Sequence, residues 1–341
     1  MSAGAVRFVV PQGVDDPARV SGGNVYDARV RDALTRLGWA VLTTEVPPDA
    51  AASALASARD DDLVLVDGLV AGRSAAALEA EAERLRLVVL AHMVSEAFPD
   101  ADEGAVAGER RALAAAEHVI ATSRWTRTQL AQRGLVAPAR LSVAIPGTDD
   151  VPPAHGTRGG SAMLCLGVVA PHKGQDVLVE ALSGLGGGGW TCTIAGSVDA
   201  EPAFARRVVG RREEAGLRDR IRMPGVLAGA ALDEALGGAD LLVAPSRVEA
   251  YGMVVADALR RGIPVVASDV GGIPEAVASS EAAVLVPPGD AWALRVALER
   301  WVADPALRAR LTGEARRGRD RLPRWTDTAA RVAAVLEEVA R

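Results

Sequence analysis

One lysine stands in this chain of 341 residues, Lys173 in "GVVAPHKGQD" (167–176), and the other 37 of its 38 basic residues are arginine. A composition biased to Ala, Gly and Arg writes arginine wherever either cation serves. An isolated lysine is otherwise a surface charge; one retained in such a chain reads as chemistry. A compact ammonium on a flexible stem meets a diphosphate oxygen as a point charge, where a planar guanidinium needs more room and other angles. A second group lies in "APSRVEAYGMVV" (244–255). A helix starting near Gly252 would present the free N–H groups of Gly252, Met253 and Val254, which with the helix dipole form an anion site suited to phosphate. Glu249 just before it has two readings. It is a carboxylate placed by the dipole, or, since a carboxylate beside bound phosphate is electrostatically awkward, an acceptor for sugar hydroxyls. Asp257, further along the same helix, taken alone is a polar helix residue.

The first half offers less. Gly22 and Gly23 in "SGGNVYDARVRDAL" (21–34) precede an amphipathic helix. A simple turn explains them, and so does a ligand coming close to the backbone. His92 closes the apolar run "LVVLAH" (87–92). A lone histidine is usually structural; one at the carboxyl edge of a parallel sheet is a site candidate. His172 reads as a surface histidine.

These residues follow strands. Short apolar runs ("VRFVV", "AVLTTEV", "LVLVDG", "LRLVVLAH", "HVIATS" and "LSVAIPG", then "SAMLCLGVV", "WTCTIAG", "RIRMPG", "ADLLVAPS", "IPVVASD" and "AAVLVPPGD") alternate with Ala-rich stretches of helix length. Such alternation predicts parallel sheets, and two series of about six strands predict two doubly wound α/β domains rather than one barrel. The Pro- and Gly-rich segment 149–161 reads as the linker, giving domains 1–150 and 151–324. Ligands of open parallel sheets sit at the carboxyl ends of the strands, so two such domains facing each other would form a cleft between those edges.

Composition excludes other classes. A net charge of −6 argues against a nucleic-acid binder. No run is long enough for a membrane helix, and "MSAGAVRFVVPQG" lacks the pattern of a signal peptide, so the chain reads as cytoplasmic, with room for peripheral contact at a membrane. Cys165 and Cys192 lie in strand-like runs and read as buried free thiols. There is no Walker loop, GxSxG elbow, HExxH or complete dinucleotide fingerprint. "RDDDL" (59–63) precedes a strand, at the wrong edge for a site, and no metal constellation is read.

The stretches "APSRVEAYGMVVADALRRGIPVVASDVGGIPE", "LGVVAPHKGQDVLVEAL", "SGGNVYDARVRDALTRLGWAV" and "AEHVIATSRWTRTQL" resemble, over nearly the whole chain, the retaining glycosyltransferases of family 4, which have the GT-B fold. "RWTDTAARVAAVLEEV" (324–339) is similar to the terminal helix that in this fold crosses back onto the first domain. The resemblance implies an acceptor-binding first domain and a donor-binding second. It implies that Lys173 binds the donor diphosphate, that Glu249 holds hydroxyls of the transferred sugar, and that the backbone from Ala250 through Tyr251, Gly252 and Met253 to Val254 meets sugar and phosphate. Asp257 would contact the ribose. Pro224, Gly225 and Val226 would lie along the base, after a strand ending at Met223. Gly22 and Gly23 would admit the donor phosphate or the acceptor. His92 would stand near the anomeric carbon, orienting the sugar or stabilising developing positive charge. Two departures stand out: Asp257 replaces a glutamate, and Val168 replaces an arginine, a loss for which Arg206 or Arg247 are candidate substitutes.

The activity so implied is retaining transfer of a sugar from a UDP- or GDP-linked donor to a hydroxyl acceptor, without metal or other cofactor. Closure about 149–161 and the terminal helix would gate turnover. The first-domain loops, with 92–104 as one wall, would hold the acceptor. No basic, apolar cluster marks that domain, which favours a small soluble acceptor over a lipid. A nucleotide-sugar epimerase of the same fold and a non-catalytic nucleotide-sugar-binding protein are the rival readings.

Overall fold

A computed structural model describes residues 4–17, 19–98, 101–278 and 281–341. The first three residues, which open the stretch read for a signal peptide, and Pro99 and Asp100 within the expected acceptor wall, lie outside the described residues. The chain divides into two compact units, Met1–Gly147 with Pro323–Arg341, and Thr148–Leu322.

The first unit is built on a six-stranded parallel sheet of β1 (Ala5–Pro11), β2 (Ala40–Val46), β3 (Leu63–Asp67), β4 (Arg86–Ala91), β5 (His118–Ala121) and β6 (Leu141–Val143), in the order β2-β1-β3-β4-β5-β6. Every residue of β3, "LVLVD", is buried, as near-continuous apolar runs are when helices cover both faces of a parallel sheet. The last helix, Trp325–Val339, belongs to this unit. Trp325 packs edge-on against Tyr26 with ring centroids 5.7 Å apart, and Thr328 donates from Oγ1 to the Ile145 carbonyl at 2.8 Å.

The second unit carries β7 (Ala162–Leu166), β8 (Thr191–Ala195), β9 (Ile221–Gly225), β10 (Leu241–Ala244), β11 (Val265–Ser268) and β12 (Ala283–Val286), also parallel, in the order β12-β11-β10-β7-β8-β9. Its order reverses between β7 and β10. The first sheet reverses between β1 and β3. Such reversals leave a crevice at the carboxyl ends of the two strands concerned. Cys165 and Cys192, on neighbouring strands, are buried and free. No helix among the described residues is long and apolar enough to cross a membrane.

The segment read as a linker is bound to the second unit along its length. Ala154 N–H donates to the Arg261 carbonyl at 2.7 Å, and His155 and Gly156 N–H both donate to the Gly237 carbonyl at 3.0 Å. Asp240 accepts from Thr157 N–H and Ala162 N–H, each at 2.8 Å. Arg260, 1% exposed, holds its start. Its guanidinium donates to the Asp149 carbonyl (3.1 Å) and the Asp150 carboxylate (2.7 Å), and to the Arg319 carbonyl and Asp320 carboxylate (2.9 Å each). One buried side chain thus ties down both stretches through which the chain enters and leaves this unit. The two carboxylates are largely exposed, so they are screened, and the cost of removing the guanidinium falls on the part-buried carbonyls and on packing. We expect Arg260→Met to lower stability by about 2–4 kcal/mol, measured as a reduced urea midpoint with an unchanged slope.

Candidate functional site

In the second unit the loops after β7 and β10 leave the sheet side by side at its reversal. Pro171–Lys173 form a single tight turn, closed by Gly174 at φ +70°. A Cβ at Gly174 would lie 2.1 Å from the Pro245 carbonyl oxygen, so only glycine lets the two loops touch there. The loops are stitched together. His172 accepts at its carbonyl from Arg247 N–H (2.7 Å) and Val248 N–H (3.2 Å). The Arg247 guanidinium donates two bonds to Asp176 and one to the Pro171 carbonyl, all at 2.8 Å.

Across this seam Lys173 Nζ donates to Glu249 Oε2 at 2.6 Å, with side chains 23% and 14% exposed. Sequence reasoning assigned both residues to the site but did not foresee that they pair. His172, expected at the surface, is half-buried. Burial, then the Lys173 ammonium, push its ring down to about 4 against the opposing pull of Glu249, so it is neutral at pH 7.

The Glu249 backbone rests on a second pair of glycines. Gly272 N–H donates to the Glu249 carbonyl at 2.9 Å. A Cβ at Gly271 would fall 1.8 Å from that carbonyl oxygen, and one at Gly272 would fall 2.3 Å from the Ala250 oxygen. The chain then passes through Ala250 and the buried Tyr251 to Gly252, at φ +98°, which begins the Met253–Arg260 helix. Val255 and Ala256 N–H reach back to the Gly252 carbonyl, whereas those of Met253 and Val254 have no preceding helical carbonyl to bond. A donor set of main-chain amides therefore adjoins the Lys173–Glu249 pair. Asp257 lies half-buried on the same helix, one turn beyond Met253.

Gly225 and Val226 are elsewhere on the edge. β9 runs two residues beyond the expected Met223, to Gly225 at φ +82°, and it is the outermost strand, two places from β7. Val226 is exposed. Neither candidate for the arginine absent at Val168 is a free cation at this seam: Arg247 is committed to Asp176, and Arg206 lies on the exposed side of the Pro202–Glu214 helix.

In the first unit Gly22 and Gly23 form the first turn of the Gly22–Arg36 helix rather than a loop before it, because Ser21 already caps that helix by accepting from Asn24 N–H at 3.0 Å. A Cβ on Gly23 would contact the His92 ring at 3.4 Å. His92 follows β4 directly, and its Nε2 lies 2.9 Å from Asp27 and 3.2 Å from Asp67. Sequence reasoning missed both aspartates. The available signal was an acid closing an otherwise apolar strand, "LVLVD", and an acid next to the buried Tyr26. These three residues are the group among those described that comes nearest to a metal-ligand set, where none was read. The two carboxylates both lie at hydrogen-bond distance from the one ring nitrogen, Nε2.

The glycosyl transferases group 1 model matches residues 154–318. These residues, just under half of the chain and all in the second unit, are similar to that family. Among its relatives, the D-inositol 3-phosphate glycosyltransferase of Xylanimonas cellulosilytica is 30% identical over 67% of this chain and 58% of its own length. The first curated relatives are spanned over 39, 46 and 58% of their lengths, so this chain covers about half of the proteins it matches. Sucrose-phosphate synthase from Thermosynechococcus elongatus superposes with a TM-score of 0.82 at 22% identity, over 98% of both chains. Anabaena HepE in complex with UDP-glucose superposes with a TM-score of 0.79 at 18% identity, over 98% of this chain and 99% of that one. The fold class read from the sequence, two Rossmann-like α/β units of the GT-B type, is the one these structures share.

The glycine contacts give a direct test. Gly271→Ala combines φ +62° with a steric overlap against Glu249 and should cost about 2–4 kcal/mol. Gly225→Ala meets nothing within 4 Å and should cost only the conformational part, about 1 kcal/mol. Denaturant unfolding of both variants compares the two.

Proposed function

We propose that this protein transfers a glycosyl group from a nucleoside diphosphate sugar, UDP- or GDP-linked, to a hydroxyl acceptor, with retention at the anomeric carbon. The observation that carries this reading is the Lys173–Glu249 pair beside the amides that open the Met253–Arg260 helix. A diphosphate in contact with those amides takes Lys173 as its cation. Glu249, relieved of part of that partnership, accepts hydrogen bonds from the sugar. When the glycosidic bond breaks, negative charge grows on the bridging phosphate oxygen, and Lys173 with the helix amides stabilises it, an effect of about 3–4 kcal/mol per preorganised donor in comparable sites. That oxygen in turn takes the acceptor's proton on the same face, so no metal and no separate general base are required of the site. Asp257 binds the ribose, and Gly225 and Val226 lie along the base. In the first unit, Gly22 and Gly23 admit the donor phosphate or the acceptor, and His92 orients the sugar.

The relatives' names support the substrate class, with inositol 3-phosphate as one relative's acceptor and UDP-glucose as the ligand of a structure sharing the fold. The first of these favours a small hydroxyl acceptor. Lysine rather than arginine at position 173 has a local reason. Its Cδ and Cε lie 3.8 Å from where a Gly167 Cβ would stand, so the stem runs along bare backbone and delivers a compact head.

A thermal-shift panel of UDP- and GDP-sugars tests the donor. At one hundred times Kd the bound state gains about 2.7 kcal/mol, a rise of several degrees in Tm. Lys173→Ala should abolish that shift and lower transfer by about 10²–10³, and Lys173→Arg should lose most of it too. Undiminished transfer by Lys173→Ala, or products showing isomerised donor without an acceptor, would overturn the reading.

A further inference from the structure

The first unit holds two buried aspartates around His92 that the transfer as outlined does not use. Asp27, on the second turn of the Gly22–Arg36 helix, is 1% exposed, and Asp67, the last residue of β3, is 3% exposed. Asp67 divides its carboxylate. Oδ1 caps the next helix by accepting from Val70 N–H at 2.9 Å, and Oδ2 faces His92 Nε2. Asp27 gives Oδ1 to the same nitrogen, and its Oδ2 is buried without a hydrogen-bond partner. A bare carboxylate oxygen in such a place is costly unless a cation adjoins it. The ring is fixed on its other sides by Tyr26, edge-on at 5.1 Å between centroids, and by the space that Gly23 leaves open. Tyr26 is itself anchored by its hydroxyl, which donates to the Ala144 carbonyl at 2.8 Å. Nδ1 carries no hydrogen bond and is not among the buried unpartnered atoms, so it is the ring nitrogen open to solvent.

We infer that Asp27 and Asp67 are positioning residues that keep His92 an imidazolium with Nε2–H turned inward, so that Nδ1–H meets the substrate as a fixed hydrogen-bond donor. This rests on the proposed transfer only for what Nδ1–H touches. His92 then neither serves as a base for the acceptor nor stabilises positive charge at the anomeric carbon by its ring, the second of which the sequence had offered as a role. Burial alone would lower the ring's affinity for its proton, but Asp27 and Asp67 outweigh it and hold His92 above its ordinary value, while burial raises Asp27. Both groups therefore bind more protons folded than unfolded. The stability His92 gains is complete below about pH 6.5 and is lost as pH rises through its raised value; the raised Asp27 gives a slope of the same sign at lower pH.

Nitrogen NMR of ¹⁵N-histidine-labelled protein without ligand tests this. The four histidines are few enough to assign with His92→Gln. We expect His92 to keep the doubly protonated pattern at pH 8, where the lowered rings of His118 and His172 are neutral. Asp27→Asn or Asp67→Asn should shift its titration down by a unit or more. Asp27→Asn should also lower kcat with little change in donor KM, and Asp27→Glu should restore part of it. A neutral His92 ring in the wild-type protein at pH 7.5, or a deprotonated metal-bound pattern on adding Zn²⁺ or Mn²⁺, overturns the inference. The wild-type spectrum needs neither a variant that folds nor a donor. Failure of the donor panel thus leaves it standing, and a neutral ring in a protein that binds donor overturns this inference alone.

Discussion

An ammonium and a carboxylate joined at 2.6 Å, Lys173 to Glu249, sit where β7 and β10 end beside each other, and the surrounding loops are shaped to make that contact. Its contribution to folding is small, since both groups are partly hydrated and each loses rotamer freedom. Its effect is positional. Gly174 brings one loop onto the other, Gly271 and Gly272 let the Glu249 backbone settle against them, and the Arg247–Asp176 fork locks the seam. Both charges are ordered by the protein's own loops, with no ligand needed to hold them.

The first unit uses the same topological device for a different electrostatic arrangement. At its own reversal, Asp67 ends β3 and Asp27 lies in the helix after β1, with His92 following the next strand, β4. The groups there are buried rather than half-hydrated, and two carboxyl groups share one ring. Withdrawal from water makes these contacts strong and makes an unpaired member costly. Small-residue contacts recur: Gly23 clears the ring's edge, and a Cβ at Gly68 would fall 2.6 Å from the Leu90 carbonyl, which keeps the helix after Asp67 close to β4.

Most of this architecture was legible in the chain. Strands buried on both faces announce themselves as apolar runs, and the helix start at Gly252 is written in its glycine and the periodic residues after it. Lys173 was visible because its composition is otherwise all arginine. What stayed hidden depends on which strands become neighbours. The Lys173–Glu249 pairing joins loops that only the order β10-β7 brings together, and no local pattern encodes it. Asp27 was not singled out, since its burial comes from neighbouring elements. Gly22 and Gly23 were read as preceding the helix, whereas the Ser21 cap places them inside it. The segment 149–161 looked like a tether by composition, and hydrogen bonds to Asp240, Gly237 and Arg261 make it part of a folded surface.

Arg260 has a bearing on engineering. It ends the helix whose opening amides adjoin Lys173, and it grips residues 149–150 and 319–320 together. A graft that exchanges this lobe with a homologue's must therefore place both junctions outside those residues. Splice points chosen by composition, within the Pro/Gly stretch, would sever the guanidinium from its carbonyls and deliver a lobe whose principal helix is unmoored at its far end.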